Sequence, residues 1–195
     1  MSAVRLLVLG AVRRRGQAHG YQVLADLEAW GAHEWARATS GSVYHALKAM
    51  TGQGLLVMHD TTPSTAGGPP RMEYTVTDAG EQAYLDLLRT ALTNRDPRLD
   101  LLAAAVGLIE DLPRAEAIAL LRQRLQTMNE WRAAITAHLP PGADLDTWGP
   151  VGDVIGLWLH TADTRRDWTS RLLHRLEQGA YRMAGEDRAQ TPETP

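Results

Sequence analysis

The spacing of apolar residues changes period twice in the first 95 positions, and that change limits what the chain can fold into. Val4, Leu7, Val8 and Ala11 recur at steps of three and four, as do Tyr21, Leu24 and Leu27, which is the signature of two amphipathic helices. A third helical segment begins at Thr39 or Ser40, either of which can cap a helix by accepting a hydrogen bond from a first-turn amide. Its inward stripe is Val43, Leu47 and Met50, and Gly54 stands where the chain must turn out of the helix. The period then drops to two. Leu55 to His59 and Met72 to Val76 are short and rich in β-formers, and Thr61 to Pro70 (TTPSTAGGPP) joins them, so they predict a hairpin with a long tip. Thr77 caps a further helix, with Asp78 and Glu81 placed favourably against its N-terminal dipole. Three helices, a hairpin and a helix, in that order, describe a winged helix-turn-helix, whose third helix enters the DNA major groove.

The third helix bears a geometric test. With Val43, Leu47 and Met50 inward, a rotation of about 100° per residue points Gly41, His45, Lys48 and Gly52 outward, with Ser42 and Tyr44 on the flanks. That face is slim and polar. Its glycines admit close backbone approach, Ser42 and Tyr44 offer hydroxyls for phosphates or base edges, and Lys48 offers a charge. An ordinary solvated helix face would look similar. Thr39 to Lys48 therefore form the candidate DNA-reading segment, including Ser40. Tyr21 and Gln22 at the start of the second helix can meet a phosphate, and Arg71 leaves the wing tip, where an arginine can lie along the minor groove. Arg13, Arg14 and Arg15 end the first helix, where cations suit the dipole, and read as a solvated terminus before a DNA contact.

Beyond Thr93 to Pro97 (TNRDP) the pattern is helical again. Ile118, Leu121, Leu125, Met128, Ile135 and Leu139 follow alternating steps of three and four, with Arg132 in the one missing position, a heptad-like seam. Pro140 to Pro150 interrupts it. In the last helix Ile155, Leu159, Ala162, Leu173, Leu176, Ala180 and Met183 share one register, while Val154, Trp158, Trp168 and Leu172 share a neighbouring one. A helix apolar over two stripes needs two partners, and the second is expected to be another copy of the chain. Ile118, Leu121, Leu125, Met128, Ile155, Leu159, Leu173 and Leu176 are the expected dimerisation residues.

Six tryptophans and no phenylalanine is an unusual composition. Trp131, Trp148, Trp158 and Trp168 fall in this half and either fill a core and interface or line a pocket for a flat aromatic or apolar effector. Arg132 and Arg166 interrupt their seams, as buried ion pairs or as anchors for a carboxylate ligand, with the ion pair favoured. His160 and Asp163 are three apart on a helix but fall short of the three or four ligands of a zinc site, so neither a metal nor a cofactor is expected.

Particular segments resemble the PadR family of bacterial transcriptional regulators. They are Leu6-Leu7-Val8-Leu9-Gly10 in the first helix, His19-Gly20-Tyr21 opening the second, and Ser40-Gly41-Ser42-Val43-Tyr44-His45-Ala46-Leu47 in the third. Gly54-Leu55-Leu56 entering the wing and Arg71 to Gly80 (RMEYTVTDAG) leaving it continue the match. Asp167-Trp168 followed by Leu172-Leu173 is similar to the final helix of the longer branch, which carries a helical C-terminal dimerisation domain. The resemblance implies a homodimeric regulator, usually a repressor, some of whose relatives bind phenolic acids or planar drugs. It also implies that His19 ends a turn and packs against the third helix. His45 stands where the family often has proline, and Thr51-Gly52 replaces a usual charged pair, departures that bear on sequence preference.

The expected architecture is mainly α: a winged helix-turn-helix domain over residues 1–95, a helical dimerisation and effector domain over 96–184, and a disordered tail over 185–195. The 195 residues contain no cysteine, no Gly-rich phosphate loop, no Gly-x-Ser-x-Gly and no His-Glu-x-x-His, so no enzyme is expected. No apolar run approaches the roughly 20 residues of a membrane span, and no secretory signal is apparent, so a cytoplasmic location is expected. The net charge of −3 is uneven: residues 1–95 hold nine basic against eight acidic side chains, and the remainder eleven against fifteen. Acidity thus belongs to the second half, and double-stranded DNA remains the expected partner. A winged domain used only for protein contacts, without DNA binding, is the alternative.

Overall fold

The computed structural model describes residues 2–60, 72–94 and 98–186. The expected tip residues 61–70, Arg71 and the last nine residues lie outside the described residues. The chain divides into two compact units, Met1–Leu92 with Asp96–Leu108, and Thr93–Arg95 with Ile109–Pro195. The boundary expected at residue 96 therefore falls after Leu108. An unforeseen helix, α6 (Leu99–Gly107), accounts for the shift, since it packs on the first helix of the chain, α1 (Ala3–Arg15).

Helix α1 was expected to be amphipathic, yet every residue from Leu6 to Val12 is buried. A helix that is apolar on all sides belongs in the middle of a unit. Here α1 touches α2 (Gly20–Ala29), α4 (Ser40–Gly52), α6 and the sheet. Gly10 lets the Leu108 side chain and the Tyr84 ring close against it. Between α2 and α4 lies a single-turn helix, α3 (Ala32–Trp35), so the third helix expected from sequence is α4. In α2 the buried pair is Val23 and Leu27, while Tyr21 is exposed, contrary to the stripe read from Tyr21, Leu24 and Leu27.

The hairpin strands are β2 (Leu56–Asp60) and β3 (Met72–Val76), and a short strand missed in the sequence, β1 (Gln17–His19), joins them. All pairings are antiparallel and the order is β1-β3-β2. Ala18 and Met58 flank Tyr74, and on that face Ala18, Tyr74 and Leu56 are buried. The opposite face is polar: Glu73 pairs with His19 at 3.0 Å and accepts from the Gln17 amide, and His59 Nε2 lies 2.9 Å from Thr75 Oγ1. His19 stacks on Tyr21, with ring centroids 5.3 Å apart.

Both expected helix signals around the hairpin are present. Gly54 has φ +71°, and the Leu55 amide donates back to Met50 O at 2.9 Å, which closes α4 through a left-handed glycine. Thr77 Oγ1 accepts from Gly80 N at 2.9 Å at the head of α5 (Asp78–Thr93). Gly80 itself is fixed by space, since a Cβ there would stand 2.0 Å from Leu55 O.

The second unit is a helical hairpin of α7 (Arg114–Ala137) and α8 (Pro150–Glu177), joined through a 3-10 turn at Leu145–Trp148. The buried stripe of α7 is Ala117, Leu121, Arg124 and Met128, and that of α8 is Ala162, Thr169, Leu172 and Leu176. Leu172 therefore takes the inner position assigned from sequence to Leu173. The buried cation is Arg124, whose Nε reaches Thr169 Oγ1 at 3.4 Å and whose Nη1 donates to Asn94 O. Arg132 and Arg166, expected to be buried, are 39% and 37% exposed and share Asp163 at 2.6 and 3.3 Å. They do form the ion pair expected of them, and the Arg132 hydrogen bond holds the Asp163 carboxyl below its ordinary range.

Arg114 ties the ends of the hairpin together. Its guanidinium donates to the carbonyls of Leu176, Ala180 and Tyr181 and to both oxygens of Glu186, so carbonyls left open by the end of α8 gain a cationic partner. Gly185 and Glu186, assigned to a disordered tail from sequence, are thus part of the unit. Hydrogen bonds from Arg114, then from Met183 N, hold the Glu186 carboxyl below the ordinary glutamate value. A depressed pKa stabilises the fold above the unfolded value of about 4.3, and the contribution is lost as pH falls through the folded value. We expect Glu186→Gln to melt below wild type at pH 6–7 and the gap to shrink toward pH 3; thermal scans across this range that show a constant gap would contradict the assignment.

Candidate nucleic-acid interface

Helix α4 is built to leave one face open. Thr39 Oγ1 accepts from Ser42 N at 3.3 Å, so the cap fixes the first turn. Arg37 precedes it with φ 54°, a left-handed conformation for a non-glycine residue, and its carbonyl accepts from Thr39 N at 2.9 Å and from Ser42 Oγ at 3.3 Å. Such a residue is held by its surroundings at a cost of about 1 kcal/mol or more. Val43, Leu47 and Met50 are fully buried against the unit. Opposite them Thr39, Ser40, Gly41, Tyr44, His45 and Lys48 are exposed, and Ser42 is half-buried.

The polar groups differ in what they still offer. Ser42 Oγ directs its proton to Thr39 O at 2.9 Å and Arg37 O, which leaves it an acceptor. The Gln22 side-chain oxygen accepts from the His19 backbone N–H at 2.8 Å, so its role at the start of α2 is partly local. Tyr21 and Tyr44 are 51% and 45% exposed, an unusual display for aromatic side chains. Lys48, the sole lysine, is exposed on the same helix. The three arginines ending α1 meet partners at the surface of the unit, with Arg14 and Arg15 exposed as expected of a solvated terminus: Arg13 to Glu81 at 2.8 Å, Arg14 over the Trp30 ring at 5.6 Å, and Arg15 to Asp26 at 2.5 Å.

In the second unit a cavity of about 350 Å³ is lined by Trp131, Trp148 and Trp158 together with Ala134, Ile135, His138, Leu139 and Ile155. Three of the four tryptophans singled out from sequence meet there, and Trp168 does not. Of the expected dimerisation residues, Leu121, Met128 and Leu176 are covered within one chain, because α7 and α8 pack on each other through them. Ile118, Leu125, Ile155, Leu159 and Leu173 keep part of their surface open. Val151, Val154, Leu157, Trp158 and Trp168 are exposed on α8, a larger apolar display than isolated surface residues.

The winged unit has a recess of its own, about 310 Å³, with Trp30, Trp35, Leu7 and Leu108 in its walls and Arg14 at its rim. Sequence reasoning passed over it, since Trp30 and Trp35 flank a helix too short to carry a periodic signal. Among the described residues no cluster of His, Asp or Glu is arranged to hold a metal ion. No helix there is long and apolar enough to cross a membrane.

Residues 8–86 match the family described as Transcriptional regulator PadR-like family. No curated protein matches the chain. Among solved structures it is similar to Bacillus subtilis PadR in complex with operator DNA, at 20% identity over 88% of this chain and 98% of that one, with a TM-score of 0.39. It is similar also to Bacillus subtilis PadR in complex with p-coumaric acid, at 19% identity over 90% and 96%, with a TM-score of 0.35. A third is the PadR-like transcriptional regulator BC1756 from Bacillus cereus, at 15% identity over 90% and 99%, with a TM-score of 0.36. The winged domain, over residues 8–86, is thus similar to that of the PadR-like family of transcriptional regulators.

Proposed function

We propose that this protein is a DNA-binding transcriptional repressor that grips a pseudo-palindromic operator as a homodimer and lets go when a small aromatic or apolar ligand binds its helical half. The observation that carries the reading is the open face of α4, where Thr39, Ser40, Gly41, Tyr44, His45 and Lys48 stand exposed over a fully buried Val43-Leu47-Met50 stripe. Similarity of the winged domain to a family of transcriptional regulators supports it. Tyr44, His45 and Lys48, with Ser42 as an acceptor, contact base edges and phosphates in the major groove. Tyr21 and Gln22 lie at the backbone, and Arg71 at the minor groove. With nine basic against eight acidic side chains in residues 1–95, electrostatic attraction of a single subunit is weak, so useful affinity comes from two linked subunits on one site.

The second copy covers what α7 leaves open on α8. Val151, Val154, Leu157 and Trp168, with Ile155, Leu159 and Leu173 at the edge, supply the apolar surface. The tryptophan-lined cavity takes the ligand, and a ligand there acts only if it favours one spacing of the two winged domains over another.

Genomic fragments captured by the full-length protein and sequenced should yield an operator bound with steep salt dependence; an adaptor would capture none. On that operator Lys48→Ala and Arg71→Ala should each weaken binding without loss of fold, and each should lower the salt slope by roughly one per contact removed. Equal affinity in both variants would mean that another face reads the DNA. Sedimentation at micromolar concentration should give a dimer, and a stable monomer would rule out the assembly. Titration with aromatic acids and cationic dyes should quench tryptophan emission in wild type and less in Trp131→Leu; a flat response throughout would leave the cavity structural.

A further inference from the structure

At the crossing of α2 and α4 the backbone of Gly20 lies directly against the ring of Tyr44. A Cβ on residue 20 would stand 2.6 Å from Tyr44 Cε1 and 3.3 Å from Cζ, with Leu47 Cδ1 at 3.4 Å. Backbone conformation gives no reason for glycine here, because Gly20 is not among the positive-φ residues. It sits in the first turn of α2, where glycine is a poor helix former. Space alone makes it useful, and the space is filled by one side chain of the proposed DNA face.

The two neighbours of that missing Cβ cannot yield equally. Leu47 is fully buried and has nowhere to move, whereas Tyr44 is 45% exposed and can swing outward. An alanine at 20 therefore displaces the Tyr44 ring by about 1 Å to reach ordinary van der Waals separation, and leaves the helix packing in place. Tyr44 is thus a surface aromatic whose ring rests on the backbone of α2.

We propose that Gly20 is a positioning residue for DNA recognition, whose lack of a side chain seats the Tyr44 ring so that its hydroxyl is aimed before DNA arrives. The inference rests on the DNA-contact reading of Tyr44. A hydrogen bond displaced by about 1 Å loses most of its strength, and a preorganised donor spares the ordering cost on binding.

The test is a double-mutant cycle on the full-length protein, using as probe a duplex of the tightest fragment recovered by genomic capture. Gly20→Ala should weaken binding about tenfold while its melting temperature stays within a few degrees of wild type. Tyr44→Ala should weaken it to a similar degree. Gly20→Ala/Tyr44→Ala should bind no more weakly than Tyr44→Ala alone, because the clash has gone, and this pair also shows that residue 20 tolerates alanine in a folded protein. Additive losses, unchanged affinity in Gly20→Ala, or unchanged affinity in Tyr44→Ala would each overturn the proposal while leaving DNA binding intact. Failure of wild type to capture any fragment would instead remove the functional reading itself, and Gly20's role with it.

Discussion

Everything in the winged unit depends on burying α1 from all sides. Seven consecutive residues, Leu6 to Val12, are withdrawn from water, and no single neighbour can cover them. Helices α2, α4 and α6 and two strands of the sheet share the task. At roughly 25 cal/mol per Å² of apolar area, this burial is the main driving force available to a unit of this size. The same demand sets the orientation of α4, because its Val43-Leu47-Met50 stripe must meet α1, and the polar residues between those positions are then turned to solvent. The open polar face of α4 is in this sense a by-product of covering α1.

Much of this was legible in the chain. The caps at Thr39 and Thr77, the left-handed exit at Gly54 and the inward stripe of α4 all rest on local chemistry that acts over three or four residues, and all are present. What escaped was decided by distant partners. Strand β1 has only three residues and forms because Ala18 can sit beside Tyr74, which nothing near Ala18 in sequence announces. Helix α6 went unforeseen because its Leu and Ala run has no facing preference until α1 is beside it. Arg124 was overlooked for the opposite reason: it falls off the apolar seam by one position, and only the packing of Thr169 opposite makes that position internal.

The outer face of the sheet shows how the base of the wing and the start of α2 are joined. Glu73 lies on the central strand, between His19 and His59 in register, and holds His19 at 3.0 Å. His19 is the residue from which α2 departs, and it stacks on Tyr21. The base of the wing and the start of α2 therefore share one polar row, and a rigid connection between them limits how far either can be re-aimed independently. Gly20 follows immediately, so the exposed side chains Tyr21 on α2 and Tyr44 on α4 are referenced to the same three-residue stretch.

Arg114 gives the second unit a different kind of order. By gripping Leu176, Ala180, Tyr181 and Glu186 it joins the first turn of α7 to the chain just past α8, and Ala184 N closes the loop on Leu112 O at 3.1 Å. The hairpin is consequently a ring with its entrance and exit side by side. Tension applied along the chain at those two points would load the guanidinium cluster before it reached the α7–α8 seam, whose far, looped end is where the three tryptophans gather.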